Sequence, residues 1–152
     1  MPDDNQRIIR AAAEKLRGAL DRVSPRTWAS VTIDSFPRGA CGHCAEMLAR
    51  YLKDTLAIDV IYASGHVGHI VDGQTHAWLE YDGLFIDISA DQFGLPAVIV
   101  EQHSDLHIRA TEVNRHAIIR DHWWAQYAAP AYFFHMELLK SVDNVLDKWR
   151  SV

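Results

Sequence analysis

The chain has 152 residues, of which 49% are hydrophobic and 23% charged, and its formal net charge is -5 at pH 7. This length predicts a single domain spanning residues 1–152, and the composition is typical of a globular protein, while the negative charge argues against nucleic acid as a partner. Because no stretch approaches the roughly 20 apolar residues of a membrane span and the first residues lack the features of a secretory signal, we expect no membrane association and a cytoplasmic location with reduced cysteines.

Two helices are predicted before residue 60. In the first, Asp3 or Asp4 caps a helix that runs to about Val23, because apolar side chains recur every four residues. These side chains are Ile8, Ala12, Leu16 and Leu20. The second helix runs from about Cys41 to Leu56, after a loop rich in Pro and Gly. Its apolar face includes both cysteines, so Cys41 is expected to face inward at the first turn.

The rest of the chain predicts a sheet followed by one more helix. Residues 59–64, 96–101 and 106–110 have the β-branched and aromatic character of strands. Pro130 is suited to the first position of a closing helix, whose apolar stripe ends at Trp149. Together these elements predict an α+β domain in which helices at both ends of the chain pack with an antiparallel sheet.

A hairpin between residues 75 and 89 has a readable register. Asp82-Gly83 is typical of a type I′ turn, so Tyr81 pairs with Leu84. Since side chains on a strand alternate between its faces, the inward face is apolar and the other face holds His76, Trp78, Glu80, Phe85, Asp87 and Ser89. His76 and Asp87 become diagonal neighbours with backbones roughly 7 to 8 Å apart, within reach of a hydrogen bond between their side chains.

Cysteine, histidine and aspartate in this order favour nucleophilic catalysis by a thiol. A free cysteine has a pKa of about 8.5, which a helix N-terminus and a neighbouring imidazolium both lower. Cys41 would be the nucleophile, His76 the proton shuttle and Asp87 the group that orients His76. Amides at the helix start would stabilise an oxyanion, with Trp78 or Gln92 as a second donor. This chemistry requires no metal and no organic cofactor.

Three segments carry a resemblance to a known group of enzymes. They are residues 36–52 around Cys41, Thr75-His-Ala-Trp-Leu-Glu80 and Phe85-Ile-Asp-Ile-Ser-Ala-Asp-Gln-Phe93. This pattern resembles the papain-like cysteine hydrolases of the transglutaminase-like group, especially small bacterial members. The resemblance implies a nucleophile helix packed on an antiparallel sheet, with His and Asp on adjacent strands, and would make Cys41, His76 and Asp87 the triad. It also implies acyl transfer from a peptide or small-molecule amide, because the group includes peptidases, amidases and acyltransferases.

Three other interpretations stay open. Cys41-Gly-His-Cys44 has the spacing of a thiol-disulfide oxidoreductase, although the residues around it do not match a thioredoxin-like fold. Zinc is a second possibility, with both cysteines and two further histidines as ligands. The candidates are His43, His66, His69 and His76. In the third, both cysteines belong to the core of a non-catalytic binding module, and for Cys44 a core role is the favoured interpretation.

The remaining histidines carry weaker signals. His66 and His69 lie on a glycine-rich loop before the His76 strand, so they can line a substrate cleft. Five others show no metal-ligand spacing and are expected to be structural or exposed to solvent. They are His103, His107, His116, His122 and His135. Glu80 is expected to be a solvated carboxylate on its strand.

Overall fold

The computed structural model describes residues 3–24, 26 and 36–118. They form an α+β arrangement of helices and a five-stranded antiparallel sheet. The closing helix predicted from Pro130, with its aromatic residues, lies outside the described residues. Within the described ranges, no helix is long and apolar enough to cross a membrane.

Helix α1 spans Asp4–Asp21 and is capped as predicted, because the Asp3 side chain accepts a hydrogen bond from the Gln6 amide at 2.7 Å. Its predicted apolar stripe is wrong at one position. Ile8 is 49% exposed, whereas Ile9 is buried. A strict four-residue spacing drifts around a helix of 3.6 residues per turn, so the buried face shifts by one residue at its start.

Helix α2 spans Cys41–Leu56, as the sequence predicts. It ends at Ala57, which has a φ of 57° and donates its amide to the Lys53 carbonyl, so a left-handed cap stops the helix. The face of α2 that begins at Cys44 is buried against α1 and β2. This packing places the first residue of α2 beside the sheet.

The sheet has the strand order β4-β3-β2-β1-β5. Its strands are β1 (Ile61–His66), β2 (Thr75–Tyr81), β3 (Leu84–Asp87), β4 (Ile99–Glu101) and β5 (Thr111–Ala117). The strand predicted over 106–110 is wrong: a short helix, α3 (Asp105–Ile108), stands there, and the strand follows it. Leu106 and His107 are both buried, which a helical turn permits but the alternation of a half-buried strand does not.

The predicted hairpin register is confirmed. Tyr81 pairs with Leu84 and Leu79 with Ile86. Asp82 and Gly83 have φ values of 48° and 77°, which a type I′ turn requires at both central positions. Side chains on the two strands therefore face as the sequence indicates.

Both faces of this hairpin are buried. Leu79 and Ile86 belong to the main core with α1 and α2, as expected for the apolar face. The opposite face, with Trp78 and Phe85, is covered by the segment from residue 90 to 110, since the His107 ring contacts both aromatic rings. Three polar side chains of that face, His76, Asp87 and Ser89, consequently lie in the interior of the protein.

Arg17 links α1 to the loop before α2 and to the residues that follow β3. Its guanidinium donates to the Ile88 carbonyl at 2.7 Å and to both carboxylate oxygens of Asp91, at 2.7 and 2.6 Å. The same group lies 4.5 Å over the ring of Phe36, in the loop that precedes α2. Arg17 thus fixes the approach to Cys41 and the 3₁₀ turn Ala90–Phe93 that follows Asp87.

Candidate active site

Cys41 is the first residue of α2 and is partly exposed. The first intrahelical hydrogen bond runs from the Cys44 amide to the Ala40 carbonyl at 2.8 Å, so the amides of Cys41 and Gly42 precede it in the chain. Amides in this position have no acceptor within their helix, and the helix dipole places partial positive charge there. The end of α2 can therefore stabilise negative charge on sulfur or on an oxyanion.

His76 lies between the Cys41 thiol and a carboxylate. Its side chain is buried, and the Cys41 thiol is one of the groups that raise its pKa. Its Nε2 is 2.6 Å from Asp87 Oδ2, which leaves Nδ1 to serve the sulfur. Phe93 packs edge-on against the imidazole at 5.0 Å between centroids, and Trp78 stacks at 6.1 Å. The ring is thus held in one orientation, with one nitrogen toward each partner.

The electrostatic interaction between His76 and Asp87 favours the charged form of the imidazole. Burial alone lowers the pKa of His76, but the charge and hydrogen bond of Asp87, with the hydrogen bond to Cys41, outweigh burial and raise the pKa to about 9. Burial likewise opposes ionisation of Asp87, yet the charge of His76 and the hydrogen bonds from His107 and His76 hold the pKa of Asp87 below its ordinary value. At neutral pH the two groups form a buried ion pair.

The Asp87 carboxylate has hydrogen-bond partners on both oxygens. Oδ2 accepts from Nε2 of His76 at 2.6 Å and from Nε2 of His107 at 2.7 Å. Oδ1 accepts from the Ser89 amide at 2.8 Å, with Ser89 Oγ at 3.4 Å. Such charge-assisted bonds are the strong ones in proteins, so the carboxylate is fixed in place although it is only 2% exposed.

His107 is the site residue that the sequence interpretation missed. It is buried beside Asp87, and Ser104 Oγ lies 2.6 Å from its Nδ1. No ligand spacing reveals this contact, because the pairing of β3 with β4 and the turn of α3 bring residue 107 back to residue 87. The only local signal in the sequence is that Ser104 and His107 are three residues apart, a spacing that brings side chains together on a helical turn.

The two predicted oxyanion donors have different surroundings. Gln92 Nε2 lies 3.4 Å from His76 Nδ1 and donates to the Ser89 carbonyl at 3.1 Å, so its amide borders the Cys41–His76 pair. The indole N–H of Trp78 instead donates to Glu80 at 2.9 Å. Trp78 is therefore a packing partner of His76, and its donor is committed away from the thiol.

Glu80 is held more firmly than a solvated carboxylate. Arg115 donates to its Oε1 at 2.8 Å and to its Oε2 at 3.2 Å, in addition to the Trp78 bond. Burial opposes ionisation of Glu80, but the hydrogen bonds from Arg115 and Trp78 lower its pKa overall. The prediction of a purely solvated carboxylate is wrong, because Glu80 links β2 to β5.

Tyr62 is a further neighbour of the thiol that sequence reasoning did not single out. A Cβ added at Gly42 would lie 3.5 Å from its hydroxyl, so the phenol reaches the first turn of α2. Burial raises the pKa of Tyr62, as do the nearby Glu46 and Cys41. The hydroxyl is thus protonated at neutral pH and can donate a hydrogen bond beside Cys41.

Cys44 differs from Cys41 in its surroundings. It is 1% exposed, and burial, with the nearby Cys41, raises the pKa of its thiol. Its side chain lies in the main core. These features match the structural role favoured for Cys44 from the sequence.

The zinc ligand set considered from the sequence does not come together. Among the described residues, neither cysteine belongs to a group of three or more His, Cys, Asp or Glu side chains close enough to hold a metal. His66 instead lies 3.0 Å from Glu112, and His69 is partly exposed on the loop after β1. The role of this loop in lining a cleft stays a prediction.

A different trio, His76, Asp87 and His107, does have its ligand atoms within 4.8 Å of one another. Two ligands about 2.1 Å from a tetrahedral zinc lie roughly 3.4 Å apart. The nitrogen–oxygen distances here are 2.6 and 2.7 Å, which are those of charge-assisted hydrogen bonds. The arrangement is therefore best described as two imidazoles donating to one carboxylate.

Comparison of the chain with models of known families, with curated proteins and with solved structures found no match. The geometry around Cys41 is accordingly the basis for a functional proposal.

Proposed function

We propose that this protein is a cysteine-dependent hydrolase or acyltransferase that acts on an amide-type bond through Cys41, His76 and Asp87. The observation that carries the proposal is His76: one ring nitrogen lies 2.6 Å from a buried carboxylate, while the imidazole also interacts with a partly exposed thiol. A thiol, imidazole and carboxylate linked in this order constitute the machinery of nucleophilic acyl transfer.

The first half of the reaction forms a thioester. The Cys41 sulfur attacks the carbonyl carbon, and the carbonyl electron pair moves to oxygen, which faces the amides of Cys41 and Gly42 and the side-chain amide of Gln92. When the intermediate collapses, the bond from carbon to nitrogen breaks and the leaving amine takes the proton from Nδ1 of His76. The acyl group then remains on sulfur.

The second half releases the acyl group. His76 Nδ1 accepts a proton from water or from an amine as its oxygen or nitrogen attacks the thioester carbon. The carbon–sulfur bond breaks with its electron pair moving to sulfur, the acid or new amide departs, and the proton held on Nδ1 of His76 restores the starting state of the site. Asp87 stays ionised throughout and keeps the Nε2 proton of His76 in place.

The fold around the site supports a papain-like, transglutaminase-like core as part of the same proposal. The thiol begins helix α2, which packs on an antiparallel sheet, while His76 and Asp87 stand on the adjacent strands β2 and β3. This is the order of elements that the resemblance at residues 36–93 implies. A redox role for the Cys41–Cys44 pair would leave the linked imidazole and carboxylate without a function.

The proposal is tested with p-nitrophenyl acetate, an activated ester that acylates enzyme thiols. We expect a burst of nitrophenol and an acetyl adduct on Cys41 in the intact protein after acid quench. The burst should be lost in Cys41→Ala and retained in Cys44→Ala, and an added primary amine distinguishes transfer from hydrolysis by the amide it forms. Turnover that is unchanged in Cys41→Ala would overturn the proposal, and dependence on both cysteines would favour the redox alternative.

A further inference from the structure

Asp87 serves two histidines rather than one. His76 on β2 and His107 on α3 approach the same oxygen, Oδ2, at 2.6 and 2.7 Å. Both imidazoles are inaccessible to solvent, as is the carboxylate apart from 1% of its side-chain surface. Acyl transfer of the kind proposed requires only the first of these histidines, so the second needs its own explanation.

The hydrogen bonds around His107 define its tautomer. A carboxylate oxygen only accepts, so Nε2 of His107 carries a proton and donates it to Asp87. Nδ1 can then accept from the hydroxyl of Ser104, which lies 2.6 Å away. Both ring nitrogens of His107 therefore have a hydrogen-bond partner.

We propose that His107 is a positioning residue that acts through Asp87: by occupying one lone pair of Oδ2, it limits how strongly the carboxylate retains the proton of His76. The inference rests on the proposed function for its catalytic meaning, since His76 must release a proton to the leaving amine in each cycle. Ser104 supports it by keeping the His107 proton on Nε2. A carboxylate with one donor fewer is a stronger partner for the remaining imidazolium.

The titratable groups in and around the His76–Asp87–His107 cluster come from four elements. Among the described residues they are Cys41 and Cys44 on α2, His76 and Glu80 on β2, Asp87 itself on β3, and His107 on α3. Cys41 contacts His76, Cys44 interacts electrostatically with Asp87, and Glu80 with His107. His107→Phe keeps an aromatic ring where His107 contacts Trp78 and Phe85, while it removes the hydrogen-bond donor to Asp87.

The test compares His107→Phe, His107→Gln and Ser104→Ala by NMR titration of the His76 imidazole. In His107→Phe, we expect the His76 pKa to rise by about half a unit or more, because Asp87 has lost a competing donor. His107→Gln places an amide N–H where Nε2 was and should restore the wild-type value. Ser104→Ala, which leaves the ring in place, should move the pKa in the same direction by less. His66→Gln is the matched control, an exposed histidine paired with Glu112, and should change nothing.

These outcomes separate the inference from the proposed function. A His76 pKa that is unchanged in both folded His107→Phe and Ser104→Ala would overturn the role of His107, even if acetylation of Cys41 proceeds. A pKa that rises in these variants and returns in His107→Gln supports the role, even if Cys41 forms no acyl adduct. If His107→Phe does not fold, the Ser104→Ala and His107→Gln titrations decide the matter.

Discussion

Replacing Asp87 by Asn tests the core of the site with almost no change in shape. The carboxylate accepts hydrogen bonds on both oxygens, from two imidazoles on Oδ2 and from the Ser89 amide on Oδ1. An amide offers only one accepting oxygen, so its NH₂ must face at least one of these donors. If the NH₂ faces His76, Nε2 must accept a hydrogen bond and the ring proton moves to Nδ1. A protonated Nδ1 cannot accept the proton of the Cys41 thiol.

The magnitude follows from the pKa of His76, which Asp87 helps to raise from 6.5 to about 9. One pKa unit corresponds to about 1.4 kcal/mol, so the interactions that hold the imidazolium amount to about 3 kcal/mol after the cost of burial. At about pH 8, an imidazole of pKa 9 is about nine-tenths protonated, whereas one of pKa 6.5 is about one-thirtieth protonated. We therefore expect Asp87→Asn to reduce the protonated fraction of His76 about thirtyfold at about this pH, before any loss from the wrong tautomer.

The assay is an NMR titration of His76 in the variant, combined with the acetylation rate of Cys41. We predict a His76 pKa at or below its ordinary value in Asp87→Asn and strongly slowed acetylation. Asp59→Asn is the matched control, because Asp59 pairs with Lys53 at the surface and is 82% exposed. A His76 pKa that stays near 9 in a folded Asp87→Asn protein would show that Asp87 is not the group that raises it.

Three other predictions follow from the same contacts. The pKa of His76 is raised above its ordinary value in the folded state, so the stabilisation it gives is complete below about pH 6.5 and is lost as the pH rises through about 9. Denaturant titrations should therefore show the free energy of unfolding fall by about 3 kcal/mol over that range. This fall should be absent in His76→Ala. Arg17→Leu should lower the free energy of unfolding by about 2 kcal/mol. This is less than the about 3 to 5 kcal/mol expected on breaking a fully buried ion pair, because the partner Asp91 keeps 27% of its side chain exposed. A loss under about 0.5 kcal/mol would show that the Arg17–Asp91 pair does not stabilise the fold. Gln92→Ala should slow acetylation about a hundredfold as an oxyanion donor, while Trp78→Phe should leave it within a few-fold, and the reverse order would show that the indole is the donor.

The hairpin and the two long helices could be predicted because their signals are local. Asp82-Gly83 determines the turn, the turn determines the register, and the register determines that His76 and Asp87 are neighbours. The bounds of α2 follow from a loop rich in Pro and Gly before it and an amphipathic pattern within it. In each case, neighbouring residues contain enough information to fix the element.

The contacts of His107 and Arg17 could not be predicted, because they depend on where distant elements pack. Residues 106–110 have strand character, yet Leu106 and His107 must both be buried once β4 has paired with β3. Arg17 lies on a helix whose other buried residues are apolar, and only the position of Asp91 across the fold explains its burial. Such long-range partners follow from tertiary packing, which periodicity along one element does not contain.

Alkylation of the native protein across pH, with mass mapping of the labelled cysteine, tests directly whether Cys41 is a nucleophile activated by His76. We predict that iodoacetamide labels Cys41 selectively, because it is partly exposed beside a charged imidazole, whereas burial raises the pKa of Cys44 and shields it. Labelling of Cys41 near neutral pH should slow markedly in His76→Ala, since the sulfur loses the imidazole that activates it. Equal and slow labelling of both cysteines, or a Cys41 rate that does not depend on His76, would contradict the account.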